Sequence, residues 1–203
     1  AAFPAAAFLA LAACSDSTGP EVTDPRLFVA IDAGGAHTCG VTYGQKVACW
    51  GYNRSGQVGD GTDDDRHLPT IVRSRASFET VSAGEDHTCA LTEPGMAFCW
   101  GSNGSGQLGI VPKGPQDQSR EIPGAVTTEV RFSAISAGYG HTCGLDLQGK
   151  AYCWGHNGYG QLGIGSDEEK RNEPGAVDTD LRFEAISAGM EHTCAVDGDR
   201  RIH

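Results

Sequence analysis

The sequence has no run of eighteen or more apolar residues, so its repeat region predicts no membrane-spanning helix. Basic residues are few: 15 Lys and Arg stand against 26 Asp and Glu, for a net charge of −11. Such a surface gains no counterion release on a phosphate backbone, so we expect no nucleic-acid partner and membrane contact only through a lipid anchor. Aromatic residues make up 7% of the chain while Gly reaches 29 residues, which favours short strands joined by tight turns.

Catalytic motifs are also missing. The chain has no G-x-S-x-G, no H-E-x-x-H and no G-x-x-x-x-G-K-[ST] sequence. We therefore expect a protein that is not an enzyme and that needs no cofactor.

The first residues differ from the rest. They lack an initiator Met and a basic segment, so we expect the chain to be cut at its start. Residues 1–14 are apolar and end in Leu11-Ala12-Ala13-Cys14, which resembles a signal peptide with a bacterial lipobox and makes Cys14 the expected lipidation site. The alternative is an ordinary signal peptide with an incidental Cys14. Residues 15–27 then predict a flexible tether, and the protein is expected in the bacterial cell envelope, as an outer membrane lipoprotein, or outside the cell.

What the chain does contain is a repeat of about fifty residues, marked by H-T-C, ten residues, then C-W-G. Phe28, Phe78, Phe132 and Phe183 open the copies, so the predicted units are 28–77, 78–131, 132–182 and an incomplete 183–203. All length variation lies between the Trp and a later Pro, in loops 60–68, 110–122 and 164–173. A fixed frame with variable loops is typical of a binding surface.

Each copy reads as four short strands. In the second copy, a β-rich run at Phe78 precedes a predicted hairpin of His87–Leu91 and Met96–Trp100. Pro94-Gly95 between these two strands predicts a type II turn, and the equivalent turns of the other copies contain Gly44, Gly149 and Gly198. A fourth strand is expected after the Pro, as at 174–177. Four strands repeated radially predict an all-β fold, a β-propeller of four-stranded blades.

A second motif identifies a family resemblance. G-x-N-x-x-G-Q-[VL]-G occurs at 51–59, 101–109 and 155–163, and with A-G-x-x-H-T it resembles the regulator of chromosome condensation (RCC-type) repeats. The resemblance implies a propeller of seven blades, of which this chain carries three and the start of a fourth. We therefore expect the chain to be cut at its end as well.

Paired cysteines stand where cytosolic members of the resembled family commonly have apolar residues. Two residues that face each other across a hairpin can form a disulfide, and an export signal favours oxidation, so we expect Cys39–Cys49, Cys89–Cys99 and Cys143–Cys153. Cys194 would pair with position 204, beyond the last residue. Free thiols, disulfides between blades and metal ligation remain alternatives.

The other recurring residues are expected to be structural. The His of each H-T-C should bond to backbone, although a zinc site is the alternative. The Trp should pack between blades, and Asn53, Asn103 and Asn157, with their flanking glycines, should supply turns with positive φ. The acidic run at 60–65 favours a solvated loop over a calcium site.

Function is expected where the copies differ. The candidate contact residues are aromatic, basic or sulfur-bearing and occupy variable slots in the motifs: Tyr52, Arg54, Tyr139, His156, Tyr159 and Met190. We expect a non-catalytic module that binds a protein or glycan partner. The alternative is guanine-nucleotide exchange on a small GTPase, which is the activity of the resembled family's founding member.

Overall fold

The computed structural model describes residues 27–203. The predicted signal peptide, Cys14 and the tether up to residue 26 lie outside the described residues. The described part contains strands and one short 3-10 helix, Pro115–Gln118, and no helix in it is long and apolar enough to cross a membrane.

The strands form three four-stranded antiparallel sheets and one two-stranded sheet, each in sequence order. This confirms the predicted fold class. The first sheet contains β1 (Phe28–Ala33), β2 (His37–Thr42), β3 (Val47–Gly51) and β4 (Arg66–Ile71). The second contains β5 (Thr80–Ala83), β6 (His87–Leu91), β7 (Ala97–Ser102) and β8 (Ser119–Ala125). The third contains β9 (Phe132–Ala137), β10 (His141–Asp146), β11 (Ala151–His156) and β12 (Lys170–Ala176), and the fourth contains β13 (Phe183–Ala188) and β14 (Thr193–Asp197).

The first strand of each sheet lies innermost, because β1, β5, β9 and β13 contact one another in succession. Side-chain oxygens of these strands tie neighbouring sheets together. Asp32 accepts a hydrogen bond from the backbone N–H of Ala83, and Ser82 accepts one from Ala137. The sheets are therefore arranged as consecutive propeller blades, and we call them blades 1 to 4.

The hydrophobic core lies between the blades. Trp100 and Phe78 of blade 2 pack with Val58 and the Cys39–Cys49 pair of blade 1, and all of these side chains are buried. The indole of Trp100 also has a polar partner in the preceding blade, since its Nε1 donates to the carbonyl of Gln57 at 2.9 Å. Trp154 repeats this bond on the Gln107 carbonyl at 2.9 Å. The predicted packing of Trp between blades is confirmed at these two positions.

The prolines of the outer strands do not lie where the sequence analysis expected them. Pro69, Pro123 and Pro174 lie inside β4, β8 and β12, whereas the sequence analysis placed the fourth strand after the Pro. These strands are blade edges, and the pairing of β3 with β4 is irregular between Cys49 and Gly51. An edge strand tolerates Pro because no further strand needs its N–H.

The hairpin turns also differ from the expected turn type. Gly95 N donates to the Thr92 carbonyl, so Pro94 and Gly95 are the third and fourth residues of this turn, and not the second and third as the expected type II turn requires. In the other blades, Gly149 has the positive φ of Gly95, but Gln45 and Arg200 adopt it in place of Gly44 and Gly198. In all four blades, positive φ is adopted by the third residue after the Thr or Asp that opens the turn, whichever residue type stands there.

Blade 4 follows the same register as far as the chain extends. The backbone groups of Ala195 and His203 exchange hydrogen bonds, and the His203 ring packs on Phe183 at 5.7 Å. Phe98 and Tyr152 pack on the first Phe of their own blades in the same way.

Candidate functional site

The recurring His side chains join neighbouring blades. Nε2 of His87 lies 2.9 Å from Oγ1 of Thr142 in the next blade, and that hydroxyl donates to the Gln107 carbonyl at 2.9 Å. Because a carbonyl only accepts, the hydroxyl proton is committed, and Nε2 of His87 must be the donor. The expected structural role therefore differs in its partner at Nε2, where the acceptor is the Thr side chain of the next blade and not the backbone. His37 and His141 repeat the arrangement with Thr88 and Thr193.

Burial keeps these histidines neutral. It lowers the pKa of His87 to about 3, and the neighbouring His37 and His141 lower it further. Burial likewise lowers the pKa of His37 and of His141 to about 4. The Nδ1 atoms of all three are buried without a hydrogen-bond partner among the described residues. These side chains belong to the frame of the fold and do not reach a ligand.

The recurring Asn side chains close the loops that follow the Trp. Nδ2 of Asn53 donates to the carbonyls of Thr62 and Asp64, and Oδ1 accepts from the Val58 N–H. The expected positive φ is found at the flanking glycines and not at Asn53, Asn103 or Asn157, so the expectation is wrong for the Asn residues alone. Gly51, Gly56 and Gly59 supply those conformations around Asn53. The Asn is selected for its three hydrogen bonds in a buried position.

The three predicted cysteine pairs lie directly opposite each other in the hairpin register, with Cα atoms 4.1 to 4.2 Å apart and sulfur atoms at bonding distance. All six cysteines are buried. Cys194 is exposed and has no cysteine partner within residues 27–203. This geometry is compatible with an oxidising environment.

In the acidic run of the first blade, Asp60 makes internal contacts, whereas Asp63, Asp64 and Asp65 are exposed. Asp60 pairs with Arg66 at 2.5 Å and accepts hydrogen bonds from Thr62. Burial on its own would raise the pKa of the Asp60 carboxyl. The hydrogen bonds from Thr62 and Arg66 outweigh this effect and hold that pKa below its ordinary value. Within residues 27–203, no group of three or more His, Cys, Asp or Glu side chains is placed to hold a metal ion.

All six candidate contact residues lie at the same end of the blades. We call this end the loop face: it carries the turn between the first two strands of each blade and the long loop between the last two. Its segments are 34–36, 52–65, 84–86, 103–118, 138–140, 157–169 and 189–192. Backbone hydrogen bonds join them around the propeller axis, because Glu85 N donates to the Gly138 carbonyl and Tyr139 N donates to the Gly189 carbonyl.

Three of the six candidates meet in one cleft between blades 2 and 3. Tyr139, His156 and Tyr159 line a volume of about 320 Å³, and the rings of His156 and Tyr159 lie 6.0 Å apart, edge to face. Tyr139 and Tyr159 are exposed to solvent. We call this space the inter-blade cleft. Tyr52 and Arg54 lie on blade 1 and Met190 on blade 4, and none of these three lines it.

The sequence analysis missed the residue that distinguishes this cleft. Gln57, Gln107 and Gln161 are buried equivalents, and each accepts a backbone N–H two residues earlier through Oε1, which fixes the amide orientation. Nε2 of Gln57 donates to Asp86 at 3.0 Å, and Nε2 of Gln161 donates to Nδ1 of His156 at 2.8 Å. Among the described residues, none accepts a hydrogen bond from Nε2 of Gln107.

The missing acceptor has a simple cause. The position of Asp86 is occupied by Gly140 in the next repeat, and the position of His156 is occupied by the short Ser102 in the second. Gln107 is only 5% exposed, yet it lines the cleft, and its Nε2 is not sealed from solvent. The sequence did contain a signal for this difference. The Gln is the same in every repeat, but the residue before the next H-T-C is Asp86, then Gly140, then Glu191.

The cleft is also negatively charged. Glu85, Asp86 and Glu191 line it, and no Lys or Arg does. An unpaired amide donor, three carboxyl groups and two exposed phenol rings can bind a polar ligand.

The fold and this face define a repeat β-propeller with a ligand-sized cleft among its loops. Sequence comparison gives the family: the regulator of chromosome condensation (RCC1) repeat matches residues 46–91, 94–145 and 148–196, and a second form of that repeat matches 28–57, 78–107 and 132–161. The chain belongs to the RCC1-repeat family.

Among curated proteins, the chain is 34% identical over 190 residues to the ultraviolet-B receptor UVR8 of Arabidopsis thaliana, which covers 91% of the chain and 43% of UVR8. A shorter match of 68 residues, also at 34% identity, is to the probable E3 ubiquitin-protein ligase HERC4 of Homo sapiens and covers 32% of the chain and 6% of that protein. The chain thus spans less than half the length of these relatives.

Among solved structures, Prp20p of Saccharomyces cerevisiae, described with its binding to Gsp1p and histones, superposes with a TM-score of 0.73 at 21% identity. The match covers 83% of this chain and 43% of Prp20p. At this identity the likeness establishes the fold alone.

Proposed function

We propose that the protein is a non-catalytic interaction module that binds a protein partner through its loop face. The observation that carries the proposal is the inter-blade cleft, where three variable residues and one unpaired buried amide donor converge. Aromatic side chains on a rigid frame are the groups that dominate binding at protein interfaces.

The proposed module works outside the cytosol. Three cysteine pairs at disulfide distance support an oxidising compartment, as does the apolar segment that ends at Cys14. Lipidation of Cys14 would hold the module at the cell envelope, and the blades would then present the loop face to a neighbouring protein.

A capture experiment tests the proposal. The wild-type chain and a Tyr139→Ala/Tyr159→Ala variant serve as bait for envelope extract, with Leu147→Ala as the matched control. Leu147 is 61% exposed in the β10–β11 turn, at the opposite end of blade 3. A partner retained by wild type and the control but lost by the double variant supports the proposal.

Three outcomes would overturn it. Accelerated release of nucleotide from a small GTPase would favour the exchange function instead. Capture that survives the double variant would place the interface elsewhere. Retention of the bait on a glycan column would mean that the partner is a carbohydrate and not a protein.

A further inference from the structure

The unpaired amide of Gln107 requires an acceptor. In blades 1 and 3 the equivalent amide has a protein partner at 3.0 and 2.8 Å, so the frame is built for this bond to be made. Nε2 of Gln107 is open to solvent at the cleft, so a ligand that brings a carbonyl oxygen to this point would give it the kind of partner that Gln57 and Gln161 have within the protein.

The remaining groups of the cleft select a positive charge. Glu85, Asp86 and Glu191 surround it, and one oxygen of Asp86 is already engaged by Gln57. Tyr139 and Tyr159 add ring faces that attract a cation. A guanidinium or ammonium group fits both features, and the volume of about 320 Å³ suffices for one side chain with its peptide unit.

We propose that the inter-blade cleft binds an arginine or lysine side chain of a polypeptide, whose adjacent peptide carbonyl accepts a hydrogen bond from Nε2 of Gln107. The proposal rests on the proposed function and names the chemistry of its partner. The carboxyl groups bind the cation, the two tyrosines flank it, and Gln107 fixes the backbone that carries it.

Gly140 keeps the cleft open, and this provides a selective variant. A Cβ at Gly140 would lie 3.4 Å from Cβ of His156 and 3.7 Å from Oγ of Ser105, which are ordinary contacts. In Gly140→Asn, a side-chain oxygen can therefore take the place that Asp86 has for Gln57, without adding charge. Gly140→Ala adds the Cβ but no acceptor and is the matched control.

The test is a titration followed by NMR of the Gln107 side-chain amide. The probe is N-acetyl-arginine methylamide, and the comparison compound is the citrulline analogue, which has the same shape without the charge. We expect the Gln107 amide resonances to shift with the arginine probe and to shift far less with citrulline. Gly140→Asn should weaken binding by about tenfold or more, as expected for one lost hydrogen bond, and Gly140→Ala should weaken it less.

An unchanged Gln107 amide at the solubility limit of the arginine probe would overturn the proposal, and so would equal binding of citrulline. Neither result touches the proposed function, which is tested separately by partner capture with the Tyr139→Ala/Tyr159→Ala variant. Wild-type titration alone decides the outcome if Gly140→Asn does not fold.

Discussion

Nε2 of Gln57 donates a hydrogen bond to Oδ1 of Asp86 across the boundary between blades 1 and 2, at 3.0 Å. The same boundary between blades 2 and 3 has Gln107 and Gly140, and the bond is absent there. At this boundary, Gly140 in the position of Asp86 thus leaves the Gln amide without the partner that it has between blades 1 and 2.

Asp86→Ala should destabilise the fold. It leaves the fully buried Gln57 with an unpaired amide, at a cost of about 1–3 kcal/mol in the free energy of unfolding, measured by denaturant titration. Glu85→Ala, at the neighbouring position, should change it by no more than about 0.5 kcal/mol. Equal effects of the two variants would mean that the Gln57–Asp86 bond contributes nothing.

The fold could be predicted from the sequence because it depends on spacing within one repeat. The H-T-C and C-W-G segments are close in sequence and pair as a hairpin, so counting residues was enough to place Cys89 opposite Cys99. The Asn and His roles could not be predicted in the same way. His87 bonds to Thr142, 55 residues away, and no local pattern names a partner in the next blade.

The candidate site could be predicted only in part, for the same reason. Variable aromatic slots pointed to Tyr139, His156 and Tyr159, and the structure brings them together. Gln107 belongs to the invariant part of the repeat, so its own position did not distinguish it from Gln57 and Gln161. Its difference from Gln57 depends on Gly140, a residue on the next blade.

Thr142→Val tests the bond between neighbouring blades. The variant keeps the shape of the side chain but removes the acceptor for His87 and the donor to the Gln107 carbonyl, both at 2.9 Å. We expect a loss of about 1–3 kcal/mol in the free energy of unfolding, measured by denaturant titration. The exposed Thr127→Val serves as the control and should be nearly neutral. A neutral Thr142→Val would contradict the assigned role of the histidines.

The buried histidines should make the protein sensitive to acid. The folded state lowers the pKa of His37 and His141 to about 4 and of His87 to about 3, from 6.5, so the unfolded chain takes up protons first as pH falls. Their contribution to stability is complete above about pH 6.5 and is lost progressively toward pH 4. The slope should reach about 1.4 kcal/mol per pH unit for each histidine.

Denaturant titrations between pH 7 and 4 measure this slope. His87→Gln can still donate to Thr142 and should reduce the slope by up to one proton without removing the bond between blades. A stability that does not change over this range would show that the three rings are protonated equally in both states.

Oxidation of the cysteine pairs should stabilise each hairpin. Closing so short a loop contributes somewhat less than about 3 kcal/mol, so Cys89→Ala/Cys99→Ala should lower the free energy of unfolding by a similar amount. Alkylation of the folded, unreduced protein followed by mass mapping should label Cys194 and spare the six paired residues. Labelling of all seven would contradict the disulfides and weaken the case for an oxidising compartment.

The central claim is that the loop face around the inter-blade cleft contacts a protein partner. Photo-crosslinking with benzoylphenylalanine placed at Tyr159, in intact envelopes, tests it most directly, with the same probe at Leu147 on the opposite end of blade 3 as the control. We expect a discrete crosslinked protein from position 159, reduced by Gly140→Asn, and none from position 147. Crosslinking from position 147 alone, or equally from both positions, would contradict the account.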